Sequence, residues 1–178
     1  MKIVKLHNKE FEIFIPETEI SAIVHSMANQ INNSGVTNPL FIAVLNGSFL
    51  FAADIMRKIN IPNCEISFIK LSSYIGTETT GEVNELIGLG QEIKNRNIII
   101  LEDIIDTGIT LEKIMSLLGK EEVADIKVAT LLFKPEAYQK DIEIDFIGKS
   151  IPNDFVVGYG LDYDEIGRNL PHIYKLKE

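Results

Sequence analysis

The hydrophobic positions along this chain follow two patterns, one typical of amphipathic helices and one typical of buried strands. Apolar residues recur at helical spacing between Pro16 and the break at Asn33-Ser34-Gly35, which predicts a first helix. Apolar runs without polar alternation predict strands covered on both faces, as in a parallel sheet. Strands are predicted at residues 41–45, 64–71, 97–101 and 127–133. A helical segment at 48–58 joins the first two strands into a βαβ unit.

Strands that alternate with helices indicate an α/β fold whose central sheet is mostly parallel and flanked by helices. Ligands of such folds bind beyond the carboxyl ends of the strands. The 178 residues are 46% hydrophobic and contain no Pro/Ser/Gly-rich linker. Residues 1–178 are therefore predicted to form one compact domain.

Charge and cysteine content narrow the range of partners. The formal net charge of −9 argues against a nucleic-acid or anionic-membrane surface, because those partners require clustered Lys and Arg. Cys64 is the only cysteine, so no intrachain disulfide can form, and the residues after Met1 show no secretory signal. The apolar runs are shorter than the roughly 18 residues needed to cross a bilayer. These features predict a cytoplasmic protein with a small-molecule partner, no nucleic acid and no membrane.

The most informative stretch is the apolar strand that leads into Glu102 and Asp103. The segment 106–110 follows with the sequence Asp-Thr-Gly-Ile-Thr and enters a helix that Gly119 is expected to end. The backbone N–H groups and threonine hydroxyls of such a loop can cradle a phosphate. Glu102 and Asp103 can hold sugar hydroxyls or a hydrated magnesium ion. Together these residues predict a site for a phosphorylated sugar.

Two other interpretations of this motif stay open on the residues alone. Asp106 and Thr110 could cap the following helix, with Glu102 and Asp103 as solvated acids at a strand end. A Walker-type nucleotide loop is disfavoured, because the chain has no G-x-x-x-x-G-K-[ST] sequence to supply a phosphate-binding lysine.

Other segments at the same predicted sheet edge carry weaker signals. The polar stretch at about 72–85 predicts a long loop, either a lid or a disordered surface excursion. The turn Leu45-Asn46-Gly47-Ser48 is either an anion site or an ordinary strand-to-helix turn. On spacing alone, Lys134 is a solvated lysine at a strand end, and Phe155 and Val156 are core residues.

Residues 99–110, Ile-Ile-Leu-Glu-Asp-Ile-Ile-Asp-Thr-Gly-Ile-Thr, resemble the phosphoribosyl pyrophosphate (PRPP) signature of type I phosphoribosyltransferases. The Glu-Asp-Ile-Ile-Asp-Thr-Gly form is similar to that of the 6-oxopurine branch, the hypoxanthine-guanine phosphoribosyltransferases. The similarity extends from about Leu40 to Leu170. It implies a small hood, a mobile lid at about 72–85, magnesium as cofactor and a homodimer or homotetramer.

The same resemblance implies a role for each candidate site residue. PRPP and phosphate binding are implied for Glu102, Asp103, Ile105, Asp106, Thr107, Gly108, Ile109 and Thr110. Pyrophosphate binding is implied for Leu45, Asn46, Gly47, Ser73, Tyr74 and Arg168. Of these, Ser73 and Tyr74 lie in the implied lid. Purine binding is implied for Lys134, Phe155, Val156 and Asp162. Magnesium binding is implied for Glu102, Asp103 and Asp162.

One backbone feature and one departure accompany these assignments. A cis peptide bond is implied between Leu45 and Asn46. Many relatives carry lysine where this chain has Asn46. Backbone contacts to pyrophosphate are therefore the expected role of this position.

The implied reaction is displacement of pyrophosphate from C1 of PRPP by N9 of hypoxanthine or guanine, which gives IMP or GMP. The resemblance implies that Asp106 is the general base or hydrogen-bond partner at purine N7. Lys134 donates hydrogen bonds and accepts none, so it can bond the O6 carbonyl but cannot accept from the amino group of adenine. The alternatives are a xanthine-preferring enzyme and a non-catalytic regulator that senses PRPP, and the acidic charge disfavours the regulator.

Overall fold

Strands and helices alternate through the middle of the chain, in the order that the hydrophobic pattern predicts. The computed structural model describes residues 3–71, 85–87 and 92–177. In chain order the elements are β1 (Ile3–Leu6), β2 (Lys9–Ile15), α1 (Glu17–Asn32), β3 (Leu40–Val44), α2 (Phe49–Met56), β4 (Glu65–Leu71), β5 (Glu85–Ile87), β6 (Asn97–Ile105), α3 (Ile109–Leu118), β7 (Asp125–Phe133), β8 (Phe146–Ser150), β9 (Val156–Val157) and β10 (Ile173–Leu176).

The central sheet has the strand order β5-β4-β3-β6-β7-β8. Neighbouring strands from β4 to β8 are parallel, and β5 pairs antiparallel with β4 at one edge. Ile99 and Leu101 of β6 pack in the apolar layer of α1 and α2, whereas Ile98 and Ile100 pack in the layer of α3. Because both faces of the sheet are covered, its inner strands need no polar alternation. The predicted α/β fold is confirmed.

Strand β6 is longer than the predicted segment 97–101. It continues to Ile105, because its backbone stays paired with β7 as far as Phe133. Glu102 and Asp103 are therefore part of the strand and do not follow it. Gly119 does end helix α3, but with φ −64° it lacks the left-handed conformation typical of a C-terminal glycine.

A second, smaller sheet has the strand order β1-β2-β10-β9 and is antiparallel throughout. It joins distant parts of the chain, since Tyr174 pairs with both Ile13 and Val157. Phe11, Val157 and Tyr174 are buried together in its own apolar cluster. This sheet corresponds to the hood that the resemblance implies.

The predicted lid at about 72–85 falls almost entirely outside the described residues. Ser73 and Tyr74 lie in the part of the chain that the structure does not describe, and Glu85 is the first residue of β5. Among the helices of the described ranges, none has the length and apolar character required to cross a membrane.

Candidate active site

Two adjacent acids of β6 lie in a largely buried setting. Glu102 is 5% exposed, and burial, with a further contribution from the charge of Asp103, raises the pKa of its carboxyl group well above the usual value. Burial also raises the pKa of Asp103 to about 6, although a hydrogen bond from the Ile104 N–H and the charge of Arg168 act against this shift. Both carboxylates are costly to ionise here, so each gains from a nearby cation.

The carboxylate of Asp103 packs against the turn that follows β3. A Cβ atom at Gly47 would overlap this carboxylate, so a larger residue at that position would displace the Asp103 side chain. The peptide bond between Leu45 and Asn46 is cis, as the resemblance implies. The predicted pyrophosphate turn and the acidic end of β6 are thus in direct contact.

Residues 106–108 connect β6 to α3, and together with Ile109 and Thr110 in the first turn of α3 they line a cavity of about 100 Å³. Gly108 has φ 82°, a conformation that side-chain-bearing residues rarely adopt. The chain after β7 packs over it, and a Cβ atom at Gly108 would lie 2.6 Å from Tyr138 Cε2 and 2.8 Å from Lys140 Cγ. Among the described residues that line the cavity, none is Lys or Arg. An anion here would be bound by backbone N–H groups, threonine hydroxyls and the N-terminus of α3.

Asp106 and Lys134 form an ion pair at the carboxyl edge of the sheet. The Lys134 Nζ atom lies 2.9 Å from Asp106 Oδ2. The two residues meet because β6 and β7 are parallel neighbours, and Lys134 N donates to Ile105 O at 3.0 Å. Lys134 is 7% exposed, so it is not the solvated lysine that its spacing favoured. The Asp106 side chain is 45% exposed and can reach a ligand.

The segment around β9 presents one exposed aromatic ring. Phe155 is 46% exposed, and its ring centroid lies 5.8 Å from that of Tyr163 and 6.2 Å from that of Phe11. Val156 is buried and pairs with Lys175 of β10. The core interpretation is therefore right for Val156 and wrong for Phe155, whose free surface can stack on a planar ligand.

Asp162 and Arg168 form a second ion pair near the acids of β6. Arg168 Nη2 lies 2.7 Å from Asp162 Oδ1, and Arg168 Nη1 donates to Gly160 O at 2.8 Å. Asp162 Oδ2 accepts a hydrogen bond from the Glu165 N–H at 2.8 Å. Burial is the main influence on the pKa of Asp103, but the charge of Arg168 lowers this pKa and the charge of Asp162 raises it. Both side chains are therefore within electrostatic range of Asp103.

Magnesium is compatible with these acids. Within the described ranges, no group of three or more His, Cys, Asp or Glu side chains is arranged as a metal cluster. Magnesium, however, is commonly held by one or two carboxylates together with substrate phosphates. Asp103 and Asp162 fit that donor set, because each offers carboxylate oxygens and their charges already interact.

The structure therefore brings the predicted residues into two clusters, Asp106 with Lys134 and Asp103 with Gly47, Asp162 and Arg168. The packing of Tyr138 over the loop was not predicted, because Tyr138 lies in an irregular segment after β7 that has no periodic hydrophobic pattern. Tyr159 was also missed, although the flanking Gly158 and Gly160 mark a constrained turn.

Comparisons with known proteins agree with this geometry. Residues 16–164 match the family described as phosphoribosyl transferase domain. A hypoxanthine-guanine phosphoribosyltransferase of Staphylococcus aureus is 41% identical over 174 residues, which cover 97% of each chain. The crystal structure of a Staphylococcus aureus hypoxanthine phosphoribosyltransferase superposes with a TM-score of 0.85 at 41% identity over 93% of this chain and 91% of that chain. For a Bacillus anthracis hypoxanthine-guanine phosphoribosyltransferase the TM-score is 0.84 at 39% identity, with 94% and 97% covered.

Proposed function

This chain belongs to the phosphoribosyltransferase family, and we propose that it transfers the 5-phosphoribosyl group of PRPP to N9 of hypoxanthine or guanine. The products are pyrophosphate and either IMP or GMP. This transfer is a purine salvage reaction. The observation that carries this proposal is the Asp106–Lys134 ion pair beside the loop cavity at the sheet edge. It puts a proton acceptor and a buried hydrogen-bond donor next to a site suited to a phosphate.

PRPP is bound by two parts of residues 99–110, here called the β6 motif: the strand acids and the residues that follow the strand. The 5′-phosphate enters the loop cavity, where the N–H groups of 105–110 and the hydroxyls of Thr107 and Thr110 hold it. Glu102 and Asp103 bind the ribose hydroxyls. Tyr138 packs against Gly108 and so restricts the conformation of this loop.

Pyrophosphate lies between the turn at 45–47 and Arg168. Asn46 carries no charge, so backbone groups of the turn provide its contacts. Arg168 already contacts Asp162 and can add a charge-assisted hydrogen bond to a phosphate oxygen. Ser73 and Tyr74, which lie outside the described residues, are proposed to complete this part of the site from a lid.

Magnesium is proposed as the cofactor, with Glu102, Asp103 and Asp162 as its protein ligands. Bound magnesium supplies positive charge to the departing pyrophosphate. The raised pKa of Asp103, caused mainly by burial, supports the assignment, because a cation compensates the cost of ionising that carboxylate.

The purine lies against the exposed ring of Phe155, with the Val156 backbone at its Watson–Crick edge. Lys134 Nζ donates to O6, and Asp106 accepts the proton of purine N7 as N9 attacks C1 and pyrophosphate leaves. With adenine, the buried ammonium of Lys134 would face an amino group and lose its acceptor. Such a loss typically costs about 1–3 kcal/mol, which favours 6-oxopurines.

A four-base assay tests the proposed function. Purified protein, PRPP and magnesium are incubated with hypoxanthine, guanine, xanthine or adenine, and nucleotide and pyrophosphate are measured. We expect IMP and GMP to form with equimolar pyrophosphate, adenine to be inactive, and EDTA to stop the reaction. A strong preference for xanthine would correct the substrate, and no product with any base would refute the proposal.

Three further predictions accompany this function. Residues 1–178 act as one phosphoribosyltransferase domain in the cytoplasm. The chain forms a homodimer or homotetramer, which the exposed apolar side chains of Phe49, Ile66 and Phe68 support. Light scattering of the purified protein measures the assembly state directly.

A further inference from the structure

The turn 158–161 has an unusual backbone. Gly158, Tyr159 and Gly160 have φ values of 95°, 48° and 100°, so a tyrosine occupies the left-handed region between two glycines. The Tyr159 N–H donates to Leu170 O at 2.8 Å, and the Gly160 N–H donates to Arg168 O at 2.9 Å. A bulky residue in this conformation persists only where surrounding contacts hold it.

This turn lies between two parts of the proposed site. Phe155 and Val156, the proposed purine contacts, precede it in the chain, and Asp162 follows it. A Cβ atom at Gly160 would overlap Gly47 O, so the turn 158–161 packs directly against the proposed pyrophosphate turn. The purine segment and the pyrophosphate turn are thus in contact through backbone atoms.

Tyr159 adds a side-chain connection between the same two regions. Its hydroxyl donates to Asp54 Oδ2 at 2.7 Å, across a sequence separation of 105 residues. Tyr159 is 7% exposed, and burial together with the Asp54 carboxylate raises the pKa of its phenol, so the hydroxyl stays protonated and donates. Asp54 belongs to α2, the helix that begins directly after the pyrophosphate turn, and its other oxygen binds Arg57.

We propose that Tyr159 and Asp54 are positioning residues, whose hydrogen bond holds the purine segment at a fixed distance from the pyrophosphate turn. The inference rests on the proposed function, because it assigns the two connected regions to the two substrates. Neither side chain needs to touch a substrate. Reacting groups must be aligned closely, and a misplacement of about 1 Å can reduce the rate by roughly 100-fold.

A purely structural role can be separated from this positioning role. Asp54, Arg57 and Tyr159 also line a cavity of about 390 Å³ that opens to solvent, so water can reach the Asp54 carboxylate when the phenol hydroxyl is removed. The aromatic ring of Tyr159 is kept in a Tyr159→Phe variant. We therefore expect folding to be affected little and the relative position of the two subsites to be affected more.

The test measures binding and turnover in four variants. In Tyr159→Phe, the KM for hypoxanthine at saturating PRPP should rise about tenfold, because the purine segment is no longer held in place relative to the pyrophosphate turn. The dissociation constant for PRPP without purine, from calorimetry, should change less than about twofold, because the residues proposed to bind PRPP are intact. Asp54→Ala should raise the KM for hypoxanthine by the same factor. Asp54→Asn should keep a KM near wild type, because its amide oxygen still accepts the hydrogen bond. The double variant Tyr159→Phe/Asp54→Ala should show no further rise in KM.

Lys127→Met provides the matched control. It removes the ion pair with Asp145 at 3.2 Å near the amino end of β7, away from the sheet edge that carries the site. It should lower the melting temperature without changing the KM for hypoxanthine. The proposal is overturned if Tyr159→Phe keeps a wild-type KM, or if the two single effects multiply in the double variant. A wild-type protein that makes no IMP instead refutes the proposed function, so the two failures are distinguishable.

Discussion

The two halves of the β6 motif have opposite requirements for a ligand. Glu102 and Asp103, in the strand, are acids whose pKa values burial raises, so they gain from a cation. Residues 106–110, the loop and the first two residues of α3, line a cavity of about 100 Å³. The described lining contains no Lys or Arg, and these residues offer backbone donors suited to an anion. Each half therefore favours a ligand group of opposite charge. A ligand that brings both a metal-bound diphosphate and a separate phosphate satisfies both halves at once.

Asp106, at the junction of the two halves, is in a different situation from the strand acids. Its carboxylate is 45% exposed and lies 2.9 Å from the Lys134 ammonium. The carboxylate is paired with Lys134 and is open to solvent, so Asp106 is the proposed proton acceptor. The proposed function therefore uses the strand acids for binding and Asp106 for proton transfer.

The largest effect is expected for Asp106→Asn, which removes the proton acceptor and keeps the shape of the side chain. Turnover with hypoxanthine should fall by about 10²- to 10⁴-fold, the usual contribution of a general base. The affinity for PRPP, measured by calorimetry, should be retained. Glu136→Gln, which neutralises an exposed acid two residues beyond Lys134, should leave turnover unchanged. A residual turnover above one fifth of wild type would remove Asp106 from the mechanism.

The sequence predicted the parts of the molecule that local patterns encode. The run Ile98–Leu101 predicted a strand buried on both faces, and the Asp-Thr-Gly-Ile-Thr order at 106–110 predicted a loop that enters a helix. The phosphate-binding role of that loop stays a prediction. The end of β6 was placed too early, because Glu102 and Asp103 interrupt the apolar run. Strand pairing depends on the backbone, which continues its ladder with β7 whatever the side chains are.

Contacts between distant residues left no such pattern. The pairing of Ile13 with Tyr174 in the hood and the hydrogen bond of Tyr159 to Asp54 join residues more than 100 positions apart. Neither produces a helical or strand period, so neither was predicted. The burial of Lys134 depends on its position beside β6 and was equally inaccessible to a spacing argument.

A smaller effect is expected for Gly108→Ala, which tests the anion-binding half. The variant forces a side chain into φ 82° and against Tyr138, so the loop should shift and the affinity for PRPP should fall about tenfold. Gly35→Ala is the matched control, because Gly35 has φ 79° and no heavy atom within 4 Å of the added Cβ. Both variants should lose about 1–2 kcal/mol of stability from backbone strain. If Gly35→Ala weakens PRPP binding equally, strain and not the loop geometry explains the effect.

The smallest effect is expected for Asp103→Asn, which tests the cation-binding half through the pH dependence of stability. Burial raises the pKa of Asp103 from 3.8 to about 6 in the folded protein, so the folded state binds this proton more tightly than the unfolded state. Wild-type stability should therefore decrease as pH rises from about 4 to 6, whereas the asparagine variant cannot ionise and should lack that decrease. Without magnesium, the variant should gain in melting temperature relative to wild type between pH 4 and pH 7, by about 2–4 °C for each kcal/mol. Asp141→Asn, at an exposed acid, is the control. If the difference in melting temperature between Asp103→Asn and wild type is the same at pH 4 and pH 7, the Asp103 carboxylate ionises without cost and the prediction is wrong.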